Sequence, residues 1–221
     1  VAAGPALLLG EPGSGKTALL FAAALVAAGE GRGPVLFVAR KALQSLPPGW
    51  KAGAARDPLR LQKIHFLYPP SLRELLQLLS SVHETAAQPP SLLLLDGIDE
   101  YLADTSGVQA CAHLAALLVD TAAHLRSGSV CGLLVALQAE PEAASLQLAV
   151  LQRYLPTCLW LEPEPPDPAG HGLRACLGPS GLGFPKQEWC LSFGHDGEMA
   201  ISQPTQHASP TSEPSPAAQL R

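Results

Sequence analysis

Between Gly10 and Thr17 the chain reads Gly-Glu-Pro-Gly-Ser-Gly-Lys-Thr, the spacing G-x-x-x-x-G-K-[ST]. Such a run can bind anions. Glycines let successive main-chain N–H groups turn inward as a nest, and a following helix adds its positive end. Gly10, Glu11, Pro12, Gly13, Ser14, Gly15, Lys16 and Thr17 are all assigned to a nucleotide-phosphate cradle. Lys16 is placed to reach the outer phosphates, and the Thr17 hydroxyl to ligate magnesium, so the cofactors read from this motif are ATP and Mg2+.

Further along, Leu92-Leu-Leu-Leu-Asp96 sets a carboxylate after an unbroken leucine run. An acid at the carboxyl end of a buried strand stands where a magnesium ligand, direct or through water, is required. Gln138 closes a second apolar run and is expected on the same edge. Its amide can hydrogen-bond the γ-phosphate or the attacking water, or it can simply cap the strand. Asp99 and Glu100 follow Asp96 closely; either is a candidate base, and both read equally as solvated loop acids. From Arg32 to Arg73 there are eight basic residues (Arg32, Arg40, Lys41, Lys51, Arg56, Arg60, Lys63, Arg73) against Asp57 alone. With Phe66 and Tyr68 among them, that excess suits a nucleic-acid backbone with stacked bases, or an ordinary solvated face. Lys51, Arg56, Arg60 and Lys63 are the candidate DNA contacts. The five cysteines are never spaced Cys-x-x-Cys, so buried thiols are expected rather than zinc or disulfides.

These groups need elements to position them. Apolar strands are predicted at Ala6–Leu9, Val35–Val38, Ile64–Leu67, Ser91–Asp96 and Gly132–Leu137. Helices are predicted from the phosphate loop to about Ala28, from Ser71 to about Val82, over Gln109–Arg126 and near Ala144–Tyr154. Gln44–Pro58 reads as loop, and Ser71 with Glu74 carries capping chemistry. Four closing strands follow: Cys158–Leu161, Gly172–Leu177, Glu188–Phe193 and Glu198–Ile201, the last two joined by His195-Asp196-Gly197. Strands alternating with helices imply a parallel sheet, and the terminal run of strands an antiparallel extension. The fold class is α/β: a P-loop NTPase core, mainly parallel sheet flanked by helices, with C-terminal antiparallel strands. One domain is expected over residues 1–202. Residues 203–221, rich in Ser and Pro, read as a disordered tail.

At 47% apolar and 15% charged, the chain has enough apolar surface for one sizeable core. A net charge of −5 excludes a protein built wholly around a basic surface. No run is read as reaching the roughly 20 apolar residues of a membrane helix. Val1–Leu9 lacks the positive region of a secretory signal. A soluble intracellular protein with no membrane partner is expected, and Val1, not being Met, is not expected to be the native start.

The ordered set Gly10–Thr17, Leu92–Asp96, Tyr101-Leu-Ala-Asp104 with the helix behind it, and Leu133-Leu-Val-Ala-Leu-Gln138 resembles the RecA-type recombinase paralogues. The closing strands Cys158–Leu161, Leu173–Leu177 and Trp189–Phe193 extend the resemblance, which runs from about Ala6 to Ile201. Leu59-Arg-Leu-Gln-Lys-Ile64, Tyr68-Pro-Pro70 and Leu151-Gln-Arg-Tyr154 are similar to the branch that partners a SWIM-type zinc-finger protein in the animal Shu complex. The resemblance implies a RecA-like core and a weak, DNA-stimulated ATPase. It also implies a heterodimer with the SWIM-type protein, contact with the recombinase and its paralogues, and single-stranded DNA binding. Support of the recombinase filament in homologous recombination repair, in the nucleus, follows from the same likeness. The chain is read as departing from the family at three places, one being that the helical N-terminal domain full recombinases use to polymerise is not expected before the phosphate loop. Arg40 and Lys41 stand where the family places its catalytic glutamate, which moves the base role to Asp99 or Glu100. The family's DNA loops, here about Thr105–Val108 and the stretch after Gln138 with Glu140 and Glu142, contain no basic residue. DNA contact therefore shifts to the Arg32–Arg73 segment.

Two alternatives stand beside this reading. Leu92–Glu100 also resembles the acidic motif of NACHT-type signalling NTPases, whose chains continue into a helical subdomain. A non-hydrolysing, ATP-dependent adaptor is the other, and the basic Lys41 speaks for it.

Overall fold

The computed structural model describes residues 4–30, 33–43, 58–85, 88–103, 107–125, 131–140, 145–163, 171–179, 187–193 and 199–202. Short apolar runs bounded by Gly and Pro become strands, and the longer Ala- and Leu-rich runs become helices. In chain order these are β1 (Ala6–Gly10), α1 (Lys16–Gly29), β2 (Val35–Ala39), α2 (Pro58–Leu61), β3 (Ile64–Leu67), α3 (Leu72–Thr85) and β4 (Leu92–Asp96). Then come α4 (Ile98–Leu102), α5 (Val108–Leu125), β5 (Gly132–Gln138), α6 (Leu146–Tyr154), β6 (Thr157–Pro163), β7 (His171–Pro179), β8 (Gln187–Phe193) and β9 (Met199–Ser202).

The strands form one sheet in the order β3-β2-β4-β5-β1-β6-β7-β8-β9. From β3 to β6 every pairing is parallel; β6 to β9 pair antiparallel. This is the predicted RecA-like arrangement. Strands, not a helical subdomain, follow Tyr154, which is the opposite of what the signalling alternative requires.

Side chains alternate across the pleat, so each buried strand feeds two cores. Leu7 and Leu9 of β1 join the core built with α3, α5 and α6, whereas Leu8 joins the one beneath α1. Leu93, Leu94 and Leu95 of β4 are all buried, as a strand covered on both faces demands. The Ser71 hydroxyl accepts from the Glu74 N–H at 3.3 Å at the start of α3, and Ser145 accepts from Leu148 at the start of α6.

Three expectations change. α2 and α4 are helical turns that the sequence pattern did not show. With only four and five residues, neither runs long enough to display a helical repeat. α5 is, by length and composition, apolar enough to cross a membrane, contrary to the reading that no run approaches that length. Its Cys111, Leu114, Ala115, Leu118 and Ala122 are instead buried against the sheet and α3, which accounts for its apolarity. The His195–Gly197 turn and residues 203–221 lie outside the described residues.

Candidate nucleotide-binding site

The site forms where β1, β5, β4 and β2 end on one edge of the sheet. Gly10 is in register with Gln138, and Asp96 with Ala39. Helices start from this edge, so main-chain N–H groups and strand-end side chains converge there.

The Gly10–Thr17 loop is shaped by its glycines. Gly13 and Gly15 have φ of 78° and 83°, a region that favours glycine. Gly10 is held to hydrogen by space: a Cβ there would meet Ser14 Oγ at 2.4 Å and the Leu161 carbonyl at 2.7 Å. Inside the loop, Lys16 Nζ donates to the carbonyls of Gly10 and Glu11 at 2.8 and 2.7 Å, and to Ser14 Oγ at 3.3 Å. Those acceptors match the three protons of an ammonium group. Burial lowers the Lys16 pKa, with Asp99 and then Asp96 opposing the shift. Its charge is thus desolvated and aimed into the cradle, the condition in which one cation acts most strongly on phosphate.

Thr17 Oγ1 donates to Asp96 Oδ2 at 2.7 Å across the site. Burial pushes the Asp96 carboxyl up, against the opposing Thr17 hydrogen bond and Lys16 charge. A hydroxyl beside a carboxylate, both oxygen donors in a partly dry pocket, is a donor set that suits magnesium. Together with the glycine cradle and the inward ammonium, it fits a magnesium-bound nucleoside triphosphate.

Gly97, at φ 70°, turns β4 directly into α4. That turn puts Asp99 and Glu100 on a helix rather than in a loop. Tyr101, almost fully buried, donates its hydroxyl to the Pro69 carbonyl at 3.0 Å and pins α4 from below. Asp99 Oδ1 accepts from the Gln138 N–H at 2.9 Å, so these two candidates are brought together. Glu100 is paired instead with Lys41, whose Nζ lies 3.1 Å from Oε2. Arg40 donates to the Pro70 carbonyl at 3.1 Å and to the Glu100 carbonyl, bracing β2 against α4. Lys16, Thr17, Arg40, Lys41, Asp96, Asp99, Glu100 and Gln138 all line one cavity of about 390 Å³.

The sequence reading missed the bracing role of Arg40, the anchor at Tyr101 and the turn at Gly97. Gly97 was the available signal, since glycine directly after a strand-end acid marks a sharp exit. Of the candidate DNA contacts, Arg60 and Lys63 lie away from this cavity. Lys63 Nζ donates to the Ala28 carbonyl at 3.3 Å, and the Arg60 guanidinium lies against Gly29, both at the carboxyl end of α1. A 14-residue helix separates that end from the cradle by about 21 Å. Lys51 and Arg56 lie outside the described residues.

Over 216 aligned residues the chain is 60% identical to human (Homo sapiens) ATPase SWSAP1, covering 94% of this chain and 93% of that protein. It is 53% identical to mouse (Mus musculus) ATPase SWSAP1, covering 90% and 73% respectively. Among solved structures it is similar to the RadB recombinase, with a TM-score of 0.62, 16% identity and 89% of each chain covered. A KaiC-like protein of Pyrococcus horikoshii gives a TM-score of 0.59 at 14% identity, covering 90% of this chain and 89% of that one. These structural likenesses are likenesses of fold. No protein-family model matches the chain.

Proposed function

The chain belongs to the SWSAP1 ATPase family, and from that membership we propose that it is a RecA-like ATPase of homologous recombination repair that binds ATP with magnesium. It acts as half of a heterodimer with a SWIM-type zinc-finger protein, binds single-stranded DNA and supports the recombinase filament, in the nucleus. The observation that carries the nucleotide reading is the 2.7 Å bond from Thr17 to Asp96, which closes a pocket between the glycine cradle and the end of β4.

Within that pocket the cradle amides and Lys16 take the phosphates, and Thr17 and Asp96 hold magnesium. The metal, when bound, neutralises charge on the phosphate oxygens. Gln138, tied to Asp99 through its main-chain N–H, senses the terminal phosphate, and Asp99 orients water.

Nucleotide-dependent thermal stabilisation tests the reading, because a ligand that binds the folded state raises the melting temperature by mass action. ATP with magnesium is expected to raise it in the native chain and to leave Lys16→Ala unmoved. An equal shift in that variant overturns the site assignment. For DNA, Arg60 and Lys63, which lie together at the carboxyl end of α1, support the reading. Charge reversal at Lys51, Arg56, Arg60 and Lys63 is expected to weaken single-stranded DNA binding and flatten its salt dependence. Affinity purification from cells tests the partner: a SWIM-type zinc protein should be recovered in stoichiometric amount.

The Lys41–Glu100 pair favours a second reading, a nucleotide-dependent adaptor that does not hydrolyse, because an acid held by an ammonium is a poor base. Steady-state ATP turnover with and without single-stranded DNA separates the two.

A further inference from the structure

Lys41 and Glu100 sit on the wall of the same cavity as Lys16, Thr17 and Asp96. Their pairing is asymmetric. The Lys41 side chain is 77% exposed and able to swing, and that of Glu100 is 42% exposed. Yet Glu100 Oε2 itself is enclosed, with no hydrogen-bond donor aligned on it among the described residues, and the Lys41 charge is what the structure sets against it. β2, which leads into Lys41, lies directly beside β4, which ends at Asp96. Neighbouring strands are about 4.8 Å apart, a distance that the flexible four-carbon stem of lysine spans.

The Thr17–Asp96 pair would hold the magnesium of a bound triphosphate, which would neutralise charge on its outer phosphates. The pocket wall is otherwise balanced, with Lys16, Arg40 and Lys41 facing Asp96, Asp99 and Glu100. A triphosphate with one magnesium ion brings net negative charge into this balance. The exposed cation one strand away, Lys41, is within reach to answer it.

We propose that Lys41 is a second phosphate cation held in reserve by Glu100: it leaves the carboxylate for the terminal phosphate of a bound nucleoside triphosphate and stays on Glu100 when a diphosphate is bound. The proposal rests on the nucleotide reading above. The exchange makes the site distinguish triphosphate from diphosphate, and it frees Glu100 Oε2 to accept a hydrogen bond from water only in the triphosphate state.

Calorimetric titration of the full chain with AMP-PNP and with ADP, both with magnesium, tests it. Lys41→Met is expected to weaken AMP-PNP binding about tenfold while ADP moves by less than about twofold. Glu100→Gln removes the competing carboxylate, and should tighten AMP-PNP binding and leave ADP unchanged. The double variant should behave as Lys41→Met, since Glu100 acts here only through Lys41. Equal effects on both nucleotides, or weaker AMP-PNP binding in Glu100→Gln, overturn the exchange while leaving the nucleotide site standing. A native chain that binds neither nucleotide overturns both the site and the exchange.

Discussion

The main-chain N–H of Gln138 donates to Asp99 Oδ1 at 2.9 Å, tying the end of β5 to the first turn of α4. The bond spans two elements that meet only in the folded sheet, and both residues line the nucleotide cavity. Asp99 is therefore a bracket for the Gln138 side of the pocket as well as a candidate base. The two roles can be separated.

Asp99→Asn keeps an acceptor for the Gln138 N–H, whereas Asp99→Ala removes it. The alanine variant is expected to lose about 0.5–1.5 kcal/mol of stability in urea unfolding, and the asparagine variant much less. ATP turnover should fall in both. Equal destabilisation by the two substitutions would rule out the bracket.

Thr17→Val keeps the shape of the side chain and deletes the hydroxyl that faces Asp96. Nucleotide affinity measured with magnesium is expected to drop to the level seen with a chelator present, and to stop responding to added magnesium. Continued tightening by magnesium in this variant would mean the ion is held elsewhere.

Burial raises the Asp96 carboxyl above the ordinary value of 3.8. In the window between 3.8 and the raised folded value, the folded state keeps a proton that the unfolded chain has released. Stability from this group therefore falls as pH rises through that window, and the loss is complete above the folded value. Asp96→Asn removes the charge. Its nucleotide-free form should melt a few degrees higher near neutral pH, with a flatter acid limb, in scanning calorimetry. It should also fail to respond to magnesium. A lower melting temperature at neutral pH would contradict the burial cost.

Gly10 and Gly13 are glycines for different reasons, and alanine separates them. At Gly10 a methyl group meets Ser14 Oγ and the Leu161 carbonyl, so Gly10→Ala should cost about 1–3 kcal/mol through overpacking. At Gly13 no atom of the described residues lies within 4 Å of a built Cβ, and the cost is the left-handed φ alone, about 1–2 kcal/mol. Relaxing Ser14 with Ser14→Gly should recover part of the loss in Gly10→Ala and none in Gly13→Ala.

The cradle, the strand-end Asp96 and most element boundaries were legible in the residues alone, because each is encoded locally. Glycine at fixed offsets permits one loop shape, and an apolar run of about five residues has the length of a strand. Apart from Thr17 with Asp96, which the motifs themselves pointed to, what the amino-acid order left open was the pairing of residues far apart in the chain. Asp99 with Gln138, Lys41 with Glu100 and Lys63 with the end of α1 depend on β2, β4 and β5 lying side by side and on α2 reaching the end of α1. Strand order is set by how the two leucine-rich faces of the sheet are covered, a property of the whole core that no short spacing records. For the same reason the basic run between Arg32 and Arg73, one cluster in the sequence, is divided in three dimensions. Arg40 and Lys41 belong to the nucleotide pocket, while Arg60 and Lys63 belong to the far end of α1.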